Sequence, residues 1–241
     1  MRYITRAARA MLSAAAAFSL SMVANSGLVA NAAEILCDDA THPIAQGSTV
    51  TGTLTVPPGA TCTLDNVTVH GNVLVDPTGC LIAGESAGGA TIDGDISATK
   101  AACLAIGFGS TVDGSVTALA TTGVPPNPPA ESNNYICNTK ITGNLSIASS
   151  GPNAKWCIGS TSSSPCQCGA PNTIEHNMTF DSNLGGGVIA DNTIVGSLIC
   201  EGNNPAPTGS GNLAANFEKP TLGQCSALVV NVPKLSSTNS E

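Results

Sequence analysis

Apolar and polar positions in this chain alternate with a period of two, punctuated by glycine. From Val69 the order is Val69-His70-Gly71-Asn72-Val73-Leu74-Val75. Asp76-Pro77-Thr78-Gly79 then supplies a turn, and Cys80 opens the next apolar run. Such alternation marks strands with one buried face; here it sets Val69, Gly71, Val73 and Val75 inward and His70, Asn72 and Leu74 outward. Seven copies share a β-branched residue, a variable residue, usually glycine, a small polar residue and an apolar one: Val50-Thr51-Gly52-Thr53-Leu54, Val69-His70-Gly71-Asn72-Val73, Ile92-Asp93-Gly94-Asp95-Ile96, Val112-Asp113-Gly114-Ser115-Val116, Ile141-Thr142-Gly143-Asn144-Leu145, Ile174-Glu175-His176-Asn177-Met178 and Ile194-Val195-Gly196-Ser197-Leu198. Only His176 replaces the glycine, and the central positions lie 19, 23, 20, 29, 33 and 20 residues apart. That interval is one solenoid coil with loops of variable length inserted.

Helix competes poorly with this reading. Glycine and proline supply 41 of 241 residues, and β-branched side chains dominate the apolar positions. A single coil buries too little to fold alone, so neighbouring coils must share their sheets and their core. A hairpin-built barrel is the main rival, because Asp93-Gly94 and Asp113-Gly114 suit two-residue turns. The equivalent pairs Thr51-Gly52, Thr142-Gly143 and Val195-Gly196 carry β-branched residues, which resist the positive φ of such a turn. The pattern predicts a parallel β-helix of about seven coils over residues 48–202, each coil about 4.8 Å above the last. Residues 33–47 would cap one end, and residues 203–241 would supply a loop, a final strand Cys225 to Val232 that caps the other end, and a tail. Prolines in 121–134 and serines and cysteines in 160–171 mark insertions.

Composition adds the compartment. Arg2, Arg6 and Arg9 precede the apolar run Met11 to Met22, and Ala30-Asn31-Ala32 has the small-x-small form of a cleavage site. Residues 1–32 are therefore expected to be a Sec-type signal peptide, giving a secreted or cell-surface protein, periplasmic or extracellular, with no membrane span once the signal is removed. Without that segment five lysines face sixteen carboxylates, a net charge of −11, and no arginine remains. That excess excludes a nucleic-acid partner, which would require clustered Lys and Arg.

All ten cysteines, Cys37, Cys62, Cys80, Cys103, Cys137, Cys157, Cys166, Cys168, Cys200 and Cys225, follow the signal. An even number in an exported chain favours disulfides over metal thiolates. In the first three coils the cysteine follows the repeat glycine by 10, 9 and 9 residues, which places Cys62, Cys80 and Cys103 in one column. Residues stacked about 4.8 Å apart fall within disulfide reach. The simplest pairing joins Cys37 to Cys62, Cys80 to Cys103, Cys137 to Cys157 and Cys200 to Cys225, with Cys166 and Cys168 unassigned.

Candidate chemistry sits before the repeat glycine, where successive coils read Thr51, His70, Asp93, Asp113, Thr142, Glu175 and Val195. In register, His70, Asp93 and Asp113 form an outward row with Asp95 close by. Such a row offers oxygen ligands to a divalent cation such as calcium, the one cofactor considered. Asp93 and Asp113 would alternatively serve as the carboxylate pair of a glycoside hydrolase. Against both stands a solvated acidic face that keeps the sheet soluble. The residues after the glycine, Asn72, Asp95, Ser115, Asn144, Asn177 and Ser197, predict a structural polar ladder. An ice-binding surface would need threonine rows over many coils, and the row Thr49, Thr51, Thr53, Thr55 is confined to the first coil.

The V-x-G-N-V strands and the Gly-Ala-Thr-Cys and Gly-Cys turns, over Ser48 to Cys200, resemble those of secreted bacterial right-handed single-stranded parallel β-helices. Bactofilin-like polymers, adhesins and pectin-lyase-like enzymes share this architecture. The resemblance implies a solenoid scaffold without fixing a function. Lyases of that kind would imply an arginine base beside calcium-binding acids, and no arginine follows the signal. The sequence thus points to a non-enzymatic structural or adhesive module of the cell surface or matrix, with end-to-end self-association and an unidentified surface or glycan ligand. A polysaccharide-active enzyme and a cation-binding surface protein are its alternatives.

Overall fold

The computed structural model describes residues 34–85, 88–123, 134–159, 169–216, 219 and 221–230. The expected signal peptide, most of the proline-rich insertion, and Cys166 and Cys168 lie outside the described residues. Among the described residues the strands form three sheets of nine, six and eight members in which sequence neighbours never pair; each strand pairs with its counterpart one coil away. Every pairing between strands is parallel, which excludes the hairpin barrel. The chain is a parallel β-helix. Leu213–Ala214 adds an eighth strand beyond the seven sequence copies.

The predicted inward positions line one core. Val69, Ile92, Val112, Ile141, Ile174 and Ile194 are all fully buried in the eight-stranded sheet, and Val73, Ile96, Val116, Leu145, Met178 and Leu198 in the nine-stranded one. Burying each such side chain contributes roughly 1.5 to 3 kcal/mol, and only the continuous stack makes this enough to order the coils.

Between these two sheets the chain turns at the repeat glycine. A Cβ on Gly94 would lie 2.6 Å from the Gly71 carbonyl oxygen, and one on Gly114 would lie 2.6 Å from that of Gly94. Adjacent coils touch backbone to backbone at this corner, which is why the glycine recurs. His176 takes the glycine's place with its ring exposed and Nδ1 2.7 Å from the Thr142 carbonyl.

The other two corners use left-handed residues followed by a buried small or polar side chain. At the end of the nine-stranded sheet Lys100, Ala120, Ser149 and Ser182 have φ of 54 to 57°. Their successors Ala101, Thr121, Ser150 and Asn183 are each fully buried. At the next corner Asp191 (φ 56°) and Gly211 (φ 74°) precede the buried Asn192 and Asn212.

Three of the proposed disulfides are present: Cys37–Cys62, Cys80–Cys103 and Cys200–Cys225. The single column is not. Cys62 pairs in register with Leu81, whereas Cys80 pairs with Cys103. Its spacing of ten residues rather than nine shifts Cys62 by one position, and one position in a strand reverses the face. Cys62 therefore points into the core with Cys37, and Cys200 does the same with Cys225 at the far end, all four fully buried. Each terminal bridge ties a cap to the outermost coil. Cys137 and Cys157 are both disulfide-bonded, but register sets Cys157 beside Tyr135 and leaves Cys137 two positions further along.

Residues outside the seven copies contact both end coils, but the expected final strand Cys225 to Val232 is instead a 3₁₀ turn at Ser226–Leu228, and the last strand lies earlier at Thr221–Gly223. At the first end, Asp39 accepts the Thr63 N–H at 3.0 Å and its hydroxyl at 2.7 Å, occupying the edge of the six-stranded sheet. At the second, Leu228 is buried and its carbonyl accepts from Asn212 Nδ2 at 2.9 Å.

Candidate functional site

The eight-stranded sheet carries the residues that the sequence singles out. Its register pairs Thr51 with His70, and by continuation from Val69 with Ile92 and from Val112 with Ile92 it sets His70, Asp93 and Asp113 in one outward row. Thr142, Glu175 and Val195 continue that row over the next three coils. Sequence periodicity located the row because strand pairing at the neighbouring buried residues is unbroken.

Two carboxylates of the row are ion-paired, Asp93 within it and Glu175 with a neighbouring column, whereas Asp113 forms no ion pair among the described residues. His70 Nδ1 lies 2.5 Å from Asp93 Oδ2, with both side chains about half exposed. Lys140 Nζ lies 2.9 Å from Glu175 Oε1. The hydrogen bond and charge of Glu175, with a smaller contribution from Asp113, hold the Lys140 ammonium above the ordinary lysine pKa. Asp95 does not join them: its Oδ1 accepts the Ser115 N–H at 2.7 Å, one rung of a ladder between coils. In that ladder Asn72 accepts from Asp95 N, Ser115 from Asn144 N, Asn144 from Asn177 N, and Asn177 from Ser197 N, at 2.8 to 3.1 Å. The predicted polar ladder is thus continuous over six coils.

No known family model, characterised protein or solved structure matches this chain. Function must therefore be argued from the surface itself. Among the described residues no three His, Cys, Asp or Glu side chains converge closely enough to hold a metal ion. The acid row lies on an open sheet face. A cleft of about 210 Å³ lies instead on the six-stranded sheet, lined by Lys155, Trp156, Val188, Pro205 and Thr208 among others, without a carboxylate. Among the described residues no helix is long and apolar enough to cross a membrane.

Two features escaped the sequence reading. Beside the acid row runs a threonine column: Thr49, Thr68, Thr91, Thr111, Thr173 and Thr193 stand in register, interrupted by Lys140 and ended by Leu213. The first-coil row Thr49 to Thr55 runs along the chain and across a corner, whereas this column runs across coils. Threonine immediately before the buried β-branched residue in six of the seven copies was its signal. The second feature is a pair of buried amide ladders. Asn172 Nδ2 donates to Asn192 Oδ1 at 2.9 Å and Asn192 Nδ2 to Asn212 Oδ1 at 2.8 Å. Asn183 Nδ2 donates to Asn203 Oδ1 and Asn203 Nδ2 to Gln224 Oε1, each at 3.0 Å. Their signal was asparagine recurring every 20 residues within apparent loops.

On the six-stranded sheet, burial first, then the charges of Glu85 and Asp65, push the half-buried Tyr135 phenol up to about 12. The folded phenol keeps its proton to higher pH than an unfolded one, so its contribution to stability is intact below about pH 10 and is lost as pH climbs toward 12. Tyr135 is the only tyrosine after the signal segment. Ultraviolet titration of the mature chain should show phenolate appearing near pH 12 while folded and near 10 in denaturant; coincident curves would contradict the placement of Tyr135.

Proposed function

We propose that this chain is a non-enzymatic surface module, structural or adhesive, exported to the cell surface or extracellular matrix. The observation that carries the reading is that its outward side chains form a flat array rather than a site. Asp93 is paired with His70, Glu175 with Lys140, and Asp95 is spent on a rung between coils. Catalysis by two carboxylates needs a general acid and a second carboxylate held in position around a bound sugar. Asp93 is held in an ion pair on an exposed sheet face rather than presented to a substrate, and Asp113 stands beside it without an ion pair. The sheet's alternating columns of hydroxyl and charge instead suit extended, repetitive surfaces, where many weak contacts add along the solenoid.

The threonine column favours a second reading within the same class, binding to an ordered lattice such as ice or a crystalline polysaccharide. One experiment addresses both. The mature chain is incubated with insoluble cell-wall and matrix polysaccharides and, separately, with polycrystalline ice, and the bound fraction is measured. Retention on at least one solid, lost when Thr91 and Thr111 are changed to lysine, is expected. No retention on any solid would overturn the adhesive reading, and retention on ice alone would select the lattice reading.

A further inference from the structure

Cys137 and Cys157 sit on adjacent coils of the six-stranded sheet, yet the register keeps them apart. Cys157 pairs with Tyr135 and Ile158 with Ile136, so by continuation the residue beside Cys137 is Gly159. Two residues along a strand and one strand across, at about 3.3 Å and 4.8 Å, put the two Cα atoms roughly 8 Å apart. A disulfide spans Cα separations of about 4.4 to 6.8 Å and cannot close beyond about 7 Å unless the backbone moves. Here the backbone is held: Cys137 N donates to the Ile106 carbonyl at 2.8 Å and Asn138 N to the Ala170 carbonyl at 3.0 Å. Both cysteines are nevertheless disulfide-bonded.

Elimination identifies their partners. Cys37–Cys62, Cys80–Cys103 and Cys200–Cys225 use six of the ten cysteines. Besides Cys137 and Cys157, only Cys166 and Cys168 remain. We propose that Cys137 and Cys157 are each joined to one cysteine of Cys166-Gln167-Cys168, so that two disulfides fasten the insertion 160–168 to two adjacent coils. The path of the chain suits this. It leaves the sheet after Gly159, two residues past Cys157, and returns by Ala170, two residues past Cys168, at the hydrogen bond to Asn138. Two residues reach at most about 7 Å, so Cys168 stays close to the strand end that carries Cys137.

Burial points the same way. Ile136 and Ile158 face the core, so their neighbours Tyr135, Cys137 and Cys157 face outward. Outward side chains on an open sheet face are solvated, yet Cys137 is 8% and Cys157 3% exposed. Tyr135 and Val188 pack against the two cysteines in an apolar cluster separate from the main core. Cystines laid on this outer face account for a second cluster on the solvent side of the sheet. The terminal bridges hold caps on the ends of the stack, whereas this pair holds an insertion on its flank.

The test uses the oxidised mature chain and does not depend on what the protein adheres to. Changing Cys166→Ser together with Cys168→Ser should leave Cys137 and Cys157 as two thiols per chain that take up iodoacetamide in denaturant without reductant, read by intact mass. No uptake would overturn the proposal, because the two would then be bonded to each other. Ser162→Lys, with circular dichroism matching that of the unaltered chain, gives a second measurement that keeps every cysteine. Cleavage after lysine then separates Cys157 from Cys166 and Cys168, and all cysteine-containing fragments should remain in one covalent assembly until reductant is added. Two assemblies, one of them holding only Cys166, Cys168, Cys200 and Cys225, would equally overturn it.

Discussion

Replacing Asn192 by leucine is expected to cost about 4 kcal/mol, from buried polar groups that lose their partners at roughly 1 to 3 kcal/mol each. The Asn192 amide nitrogen serves the carbonyls of Ile158 at 3.1 Å and Ala190 at 3.2 Å and the side chain of Asn212 at 2.8 Å. Its oxygen accepts from Asn172. Leucine matches the volume but satisfies none of these, and at full burial no water replaces them. Such a loss is a large part of the roughly 5 to 15 kcal/mol that hold a typical domain folded. Urea denaturation read by circular dichroism should show the midpoint falling steeply. A shift equivalent to less than about 1 kcal/mol would mean that the ladder is not satisfied as described.

The second large effect is expected at the glycine corner. A methyl group on Gly114 would sit 2.4 Å from Asp95 Oδ1 and 2.6 Å from the Gly94 carbonyl oxygen. Two coils would have to separate there, at a cost of roughly 1 to 3 kcal/mol for overpacking, and displacing Asp95 would add about 1 kcal/mol by breaking its bond to Ser115 N. Gly114→Ala should therefore destabilise by about 3 kcal/mol. Gly169→Ala, where an added Cβ meets nothing within 4 Å, should stay within about 0.5 kcal/mol. Equal midpoints for the two variants would contradict the close approach of coils at Gly114.

These two sites show why parts of the fold were legible and others were not. The glycine corner announces itself because one steric requirement repeats beside a strict apolar alternation, so strands, register and the His70, Asp93, Asp113 row all followed from local pattern. The three disulfides came from joining cysteines of neighbouring coils in sequence order, and of these only Cys80 and Cys103 stand directly in register. The face of Cys62 was missed, because one extra residue between Gly52 and Cys62 reverses a side chain without altering the coil. The amide ladders stayed hidden for a different reason. Asn172, Asn183, Asn192 and Asn203 occupy stretches rich in polar and turn-forming residues, which ordinarily lie at the surface. Their burial arises because left-handed corners such as Ser182 and Asp191 turn the next side chain inward, and only coils above and below supply its partners. The threonine column likewise exists only across coils, so reading along the chain separates its members by about 20 residues or more.

The polar ladders also bear on function. A solenoid that devotes its buried amides and one of its acids to holding coils together gains a rigid, regular exterior, and that exterior is what the proposed adhesive role requires. The competing account assigns chemistry to Asp93 and Asp113. The most direct measurement is sugar release: the mature chain, with and without added calcium, is incubated with a broad panel of acidic and neutral polysaccharides and the soluble products are quantified. The account predicts no release above a boiled control from any substrate. Release that disappears in Asp93→Asn or Asp113→Asn, in a variant that still folds, would contradict it.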